Sequence, residues 1–263
     1  MGKNMKIALV GYGKMGHIIK NCAELLNHEI VCTVDVVSED ASVKINSGDT
    51  ESLKRAVKSS GAEGIIEFSH PSCVIENIKA LLPLSLPIVV GTTGWNDKYD
   101  EINKAASDCG GIIMTSSNFS IGVNMLLKIV EEAVKIMEPW NEYDIATWEA
   151  HHNQKADSPS GTAISIAETI LKNTKKKDKL VFDAFHEKPK ANELHVSSTR
   201  LGYVPGTHTV MFDSPADTIE ITHRARSREG FAYGAVHALE KLSDGIKNGN
   251  LSKGRLYFMN DLF

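Results

Sequence analysis

Residues 6–16 read Lys-Ile-Ala-Leu-Val-Gly-Tyr-Gly-Lys-Met-Gly. The apolar run 6–10 stops at a glycine, which suits a strand buried on both faces of a parallel sheet. A helical stretch follows, with Ile18, Ile19, Cys22, Leu25 and Leu26 at three- and four-residue spacing. Gly11, Gly13 and Gly16 lie between strand and helix. The first glycine permits a tight turn, the second lets a pyrophosphate approach the backbone, and the third lets helix and strand pack closely. The free N–H groups of the helix start then face the phosphates, with Tyr12, Lys14 and Met15 completing the turn. Glu29–Asp35 reads as a second strand ending in an acid, where a carboxylate accepts hydrogen bonds from ribose hydroxyls.

Asp35 bears on the choice of nucleotide. A 2′-phosphate beside it is repelled unless a cation stands near, and the next residues are Val36, Val37 and Ser38. That favours NADH, while Lys14 leaves NADPH open. The alternation then repeats: 64–68 strand-like, 71–82 helical, 87–90 strand-like, 97–108 helical and 111–115 strand-like. Such alternation predicts an α/β fold, a Rossmann-type doubly wound parallel sheet. Two loops leave strand ends on the ligand side of such a sheet, Gly91-Thr92-Thr93-Gly94 and Ser116-Ser117-Asn118-Phe119. Both suit a nicotinamide, although local pattern alone does not separate them from ordinary polar turns.

After Asn118 the texture changes. Residues 122–137 predict one long helix, apolar nearly all round and ended by Pro139. Residues 143–151, 193–200, 207–213 and 217–225 alternate with period two, so they predict a second, mixed open sheet. Helices are expected at 161–173 and 231–246. Lys175-Lys176-Lys177 reads as a solvated helix end.

The densest cluster of functional side chains runs from Glu149 to Ala163 and includes His151, His152, Lys155, Asp157, Gly161 and Thr162. Neighbouring histidines on a strand point to opposite faces and make a poor ligand pair, so no metal is expected. Ser158-Pro-Ser160-Gly161-Thr162 reads as a capped helix start whose N–H groups await an anion. Histidine and lysine beside it suggest an anionic substrate that takes up a proton.

Composition bounds the rest. The 263 residues carry 29 Lys and Arg against 33 Asp and Glu, a formal charge of −4, which argues against a general nucleic-acid binder. No run of about 18 apolar residues offers a membrane span, and the start is too short in apolar residues for a secretory signal. Cys22, Cys32, Cys73 and Cys109 are scattered without a CxxC pair; they read as buried thiols in a reducing cytoplasm. The charge is uneven, since residues 151–228 hold 12 Lys and Arg against 9 Asp and Glu.

Taken in order, the glycine turn, Glu67-Phe-Ser-His70, Gly91-Thr-Thr-Gly94, Ser117 to Asn124 and the block Glu149 to Ala163 resemble the bacterial 4-hydroxy-tetrahydrodipicolinate reductase family, long called dihydrodipicolinate reductase. Arg200-Leu-Gly202, Gly206-Thr-His-Thr209 and residues 221–236 resemble its later motifs. The resemblance implies NAD(P)H-dependent reduction of a cyclic dicarboxylate in lysine and diaminopimelate biosynthesis. It implies His151 as proton donor and acceptor, and Lys155 as donor to the nascent amine or leaving hydroxyl. His152, Gly161, Thr162 and Arg228 would bind substrate. Gly11 to Met15, Asp35, Gly91 to Thr93 and Ser116 to Phe119 would hold the cofactor, and the chain would form a homotetramer through the sheets of its substrate domain. Three departures stand out: a shorter glycine turn with Lys14 in place of an arginine, Val36 where an arginine often follows the acid, and Glu67 where aspartate is usual.

The expected domains are 1–121 with 240–263 for the dinucleotide, and 122–239, a smaller α+β domain, for substrate and oligomerisation. Two alternatives remain at this point, another two-domain dehydrogenase acting on an amino or semialdehyde acid, and an NADH-sensing regulator without turnover.

Overall fold

The computed structural model describes residues 4–262; the outermost residues of the expected first domain, 1–3 and 263, lie outside them. β1 (Lys6–Val10) is buried along four of its five residues. Around it lie β2 (Glu29–Asp35), β3 (Val43–Lys44), β4 (Gly64–Glu67), β5 (Pro87–Val90) and β6 (Ile112–Thr115), linked by α1 (Lys14–Leu25), α2 (Thr50–Ser59), α3 (Val74–Leu81) and α4 (Tyr99–Cys109). The order is β6-β5-β4-β1-β2-β3, with the chain's last strand, Arg255–Phe258, beyond β6, and every pair is parallel. This is the doubly wound order, whose direction reverses between β1 and β4 and leaves a crevice for ligands outside the strand ends. Ala8 and Val10 join a core with Leu53, Val57, Ile78, Leu81, Ile102 and Ala106 from α2, α3 and α4. Ile7 and Leu9, equally buried, point to the opposite face.

The chain divides into two compact units, Met1–Ser120 with Phe231–Phe263, and Ile121–Gly230. The second holds α5 (Ile121–Met137), β7 (Asp144–His151), α6 (Gly161–Asn173), β8 (Lys179–Val181), β9 (Glu193–Arg200), β10 (Thr207–Asp213) and β11 (Thr218–Arg224). Its sheet has the order β11-β10-β7-β9-β8; β10 runs antiparallel to both neighbours, and β9 parallel to both of its own. Val130 and Val134 of α5 and Ile166 and Ile170 of α6 pack with Ile145, Val196, Val210 and Phe212 of the sheet. The chain returns through α7 (Glu229–Lys247) to β12 (Arg255–Phe258). The return into the first unit comes at Phe231, where the sequence placed it near 240.

Several elements differ from the sequence reading. α2, β3, β8 and β12 were not anticipated. α2 buries only Leu53 and Val57, too few apolar positions to stand out, although Asp49 caps it by accepting from the Ser52 amide. α5 leaves Met125, Ile129 and Ile136 exposed. Cys22 and Cys32 are buried, but Cys109 is exposed and Cys73 intermediate, because each stands at an end of its helix. Lys177 is 4% exposed, not solvated. Its ammonium donates to the Ala191 and Glu193 carbonyls at 2.9 Å and pairs with Asp144, so burial is offset by full hydrogen bonding. Among the described residues no helix is long and apolar enough to cross a membrane. Phe212→Ala, which empties the second unit's core, is expected to cost about 3–5 kcal/mol of stability, read from the urea midpoint.

Candidate active site

In the first unit the loops leaving β1, β4, β5 and β6 gather around Phe68. Gly11 has φ 91°, and a Cβ there would lie 2.2 Å from the Phe68 carbonyl oxygen, so only glycine fits. The Phe68 ring lies flat against Gly91, where a Cβ would come within 1.9 Å of it, and its centroid is 6.2 Å from that of Phe119. Gly16 closes against the Gly11 carbonyl, whereas a Cβ on Gly13 would meet nothing within 4 Å. The turn is therefore open where a pyrophosphate must approach. α1 begins at Lys14 with no side-chain cap, and its first-turn amides keep the N-terminal dipole available to an anion.

Asp35 is held by three backbone amides: Oδ2 accepts from Tyr12 at 2.6 Å, and Oδ1 from Val37 and Ser38 at 2.7 and 2.9 Å. Burial opposes its charge, but the Ser38, Val37 and Tyr12 amides hold its carboxyl below the usual range. Lys44 stands beside it as its register partner in β3, a cation that sequence order hides. Tyr12 stacks on His17 with centroids 4.1 Å apart. The Gly13 carbonyl and the Asp40 carboxylate, both 2.7 Å from the ring nitrogens, raise the affinity of His17 for a proton. Thr92 and Phe119 are buried, whereas Thr93 and Ser117 are exposed. Ser116 Oγ donates to the Asn118 carbonyl at 2.8 Å, which folds that loop on itself.

Glu67, the departure that sequence left uninterpreted, is fully buried at the end of β4. It accepts from Thr92 Oγ1 at 2.6 Å, from Asn77 Nδ2 at 3.3 Å and from Ser69 Oγ. Burial pushes its carboxyl above the usual range, opposed by those donors. One side chain thus ties the β4 loop, α3 and the β5 loop together.

In the second unit β7 turns Ile145 and Thr147 to the helices, and period-two alternation puts Glu149 and His151 next on the same face. The ladders align Ser198, Glu149, His208 and His223 in one row and pair His151 with Arg200 in the next. Glu149 is fully buried. His151 Nδ1 is hydrogen-bonded with its Oε2, while Arg200 Nη2 stands 2.8 Å and the Ser160 amide 3.3 Å from its Oε1. Burial would raise the Glu149 carboxyl, yet Arg200 and His151 hold it below the usual range. Burial lowers His151 despite Glu149, with Lys155 and Arg200 adding repulsion. His208, 5.2 Å from His151 between ring centroids, is pushed down to about 4 by burial and by the His151 charge. It is therefore neutral near pH 7.

Ser160 caps α6 by accepting from the Ala163 amide at 3.2 Å, and its hydroxyl meets His208 Nε2 at 3.1 Å. Gly161 and Thr162 open that helix, and a Cβ on Gly161 would meet nothing within 4 Å. Lys155 Nζ pairs with Asp157 at 2.8 Å. The His152 amide donates to the Val204 carbonyl at 2.8 Å, and its Nδ1 is buried without a protein partner among the described residues. Arg228 stands on the exposed stretch between β11 and α7 and takes no part in the Glu149 hydrogen bonds. Glu149, His151 and His208 offer ligand atoms within 4.8 Å of one another. Both oxygens of Glu149 already take part in hydrogen bonds, Oε1 with Arg200 and Oε2 with His151.

A doubly wound unit with a glycine turn and a strand-end acid, followed in the chain by an α+β unit with a buried carboxylate–histidine pair, defines a two-domain nicotinamide-nucleotide oxidoreductase. The family models for the N-terminus and the C-terminus of dihydrodipicolinate reductase match residues 5–119 and 122–263. The chain belongs to the dihydrodipicolinate reductase family. It is 38% identical over 240 residues to the 4-hydroxy-tetrahydrodipicolinate reductase of Christiangramia forsetii, covering 91% of this chain and 93% of that one. It is 35% identical over 248 residues to that of Staphylococcus saprophyticus, covering 93% and 97%. In fold it is similar to a dipicolinate-bound dihydrodipicolinate reductase from Paenisporosarcina, with a TM-score of 0.77 at 20% identity, over 98% of this chain and 99% of that one.

Sequence reasoning met Phe68, Arg200, Gly206 and His208 only inside family-like motifs, and gave neither them nor Glu149 a role. The alternation along 143–151 and 207–213 signals their shared face once the register is known. Glu67→Val, which strands the Thr92, Asn77 and Ser69 donors, is expected to raise the KM for the nicotinamide cofactor about 10-fold. The KM for the second substrate should stay unchanged in steady-state assays.

Proposed function

We propose that this chain reduces 4-hydroxy-tetrahydrodipicolinate to tetrahydrodipicolinate with loss of water, in lysine and diaminopimelate biosynthesis. The observation that carries the reading is the His151–Glu149 pair at the end of β7, followed by Lys155 in the next loop and by the capped start of α6, in a chain whose two halves both match the family. When bound, the reduced nicotinamide supplies a hydride to the ring carbon that loses its hydroxyl. Lys155, kept in place by Asp157, gives the proton with which that hydroxyl leaves as water, or neutralises the nascent amine. His151 exchanges a proton near the same centre. His152, the first turn of α6 at Gly161 and Thr162, and Arg228 bind the two carboxylates.

The cofactor lies on the first unit, along Gly11 to Gly16, Asp35, Gly91 to Thr93 and Ser116 to Phe119. NADH is the preferred form because Asp35 carries its charge where a 2′-phosphate would sit. Lys14 and Lys44 are the cations through which NADPH would still be used. The active assembly is a homotetramer built through the second unit's sheet. Supporting this, α5 and α6 pack against one face of that sheet, while the other carries half-buried Trp148, Ser197, Thr199 and Met211. The protein works in the cytoplasm.

Lys155→Ala is expected to lower turnover about 100- to 10,000-fold while the Kd for NADH stays within a few-fold; undiminished activity would remove Lys155 from its role. With the cyclic substrate, kcat/KM should be higher for NADH than for NADPH. Equal or reversed values would show that Lys14 and Lys44 outweigh Asp35.

A further inference from the structure

We infer that Glu149, clamped by Arg200, is the positioning residue that fixes the His151 ring and leaves Nε2 as the nitrogen that exchanges a proton. This rests on the assignment of His151 to proton transfer. An ionised carboxylate is acceptor only, so the hydrogen shared between Glu149 Oε2 and the ring belongs to His151 Nδ1. Neutral imidazole carries one N–H, and its other nitrogen is then a lone pair. That nitrogen, Nε2, lies beside Gly206, where a Cβ would come within 3.0 Å of it; the missing side chain keeps its approach clear.

Arg200 secures the carboxylate in its ionised form. Its Nη2 contacts Glu149 Oε1 at 2.8 Å and donates to the Asp157 carbonyl at 2.6 Å, and Nη1 donates to the Thr199 carbonyl at 2.9 Å. Asp157 in turn holds Lys155. One guanidinium therefore anchors both the carboxylate that aims His151 and the loop that carries the proposed proton donor. The charged and titratable groups around the ring are Glu149 on its own strand, Arg200 on β9, His208 on β10 and Lys155 in the following loop. Of these, Glu149 favours the protonated ring, whereas Arg200 and Lys155 oppose it.

The test uses the full-length protein labelled with 15N-histidine. The wild-type spectrum should show neutral His151 with its proton on Nδ1; a proton on Nε2 would overturn the inference without any variant. In Glu149→Gln the tautomer preference should weaken and the protonation midpoint of His151 should fall, because the carboxylate charge that favours imidazolium is gone. Its kcat should drop about 10- to 100-fold with the KM for NADH unchanged. In a His151→Ala background the same substitution should have no further effect on kcat. If His151→Ala alone retained full turnover, the proton-transfer assignment would fail. If His151→Ala were inactive but Glu149→Gln kept full kcat, or lowered kcat equally in both backgrounds, the positioning role would fail while that assignment stood.

Discussion

Glu149 is wholly out of water, and an ion in that position costs several kcal/mol unless partners replace its hydration. Arg200, the Ser160 amide and His151 replace it, and each of these comes from a different segment: the end of β9, the cap of α6 and the end of β7 itself. Meeting the demand of one carboxylate therefore fixes the ends of two strands and the start of a helix in mutual register. The apolar half of the same sheet face, Ile145, Val196, Val210 and Phe212 under α5 and α6, supplies the rigidity. The polar half gains its definition from charge. A change of one residue in the β7 register would exchange Glu149 and His151 for Trp148 and Ala150 on that face, and both halves would be lost together.

The first unit solves a related problem differently. Glu67 also ends a buried strand, but hydroxyl and amide donors surround it instead of a cation, and burial raises its carboxyl. The buried acid of the second unit is held ionised beside His151. Glu67 instead joins loops whose backbones must keep a shape. Its side chain reaches from the β4 end to Thr92 on the neighbouring strand's loop.

How much of this was legible in the sequence depended on range. The β1–turn–α1–β2 unit could be read because its signal is local: glycines at fixed spacing, then a strand-end acid. Period two gave β7, β9, β10 and β11 nearly to their ends. α2 and β3 escaped because one buries two side chains and the other is two residues long. Lys44 beside Asp35, and Arg200 beside Glu149, could not be seen at all. They become neighbours only through strand pairing, which sequence order does not encode. Lys177 was misread for the same reason, since its partners Ala191, Glu193 and Asp144 lie 14 to 33 residues away.

The positive excess over residues 151–228 must be reconsidered in that light. Arg200 is spent on Glu149, Lys155 pairs with Asp157, and Lys177 is buried on Asp144. His208 is neutral through burial. Three of the region's cations are thus engaged within the fold, and among the exposed ones Arg224, Arg226 and Arg228 lie close in sequence at and just after the end of β11. A dicarboxylate bound by the second unit would meet the dipole and amides of the α6 start more than a field of unpaired charge. Such recognition reads the direction of a carboxylate as well as its sign, because N–H groups fixed in a helix accept only one approach. Directional binding of this kind suits a reaction in which a single ring carbon must be presented to the hydride.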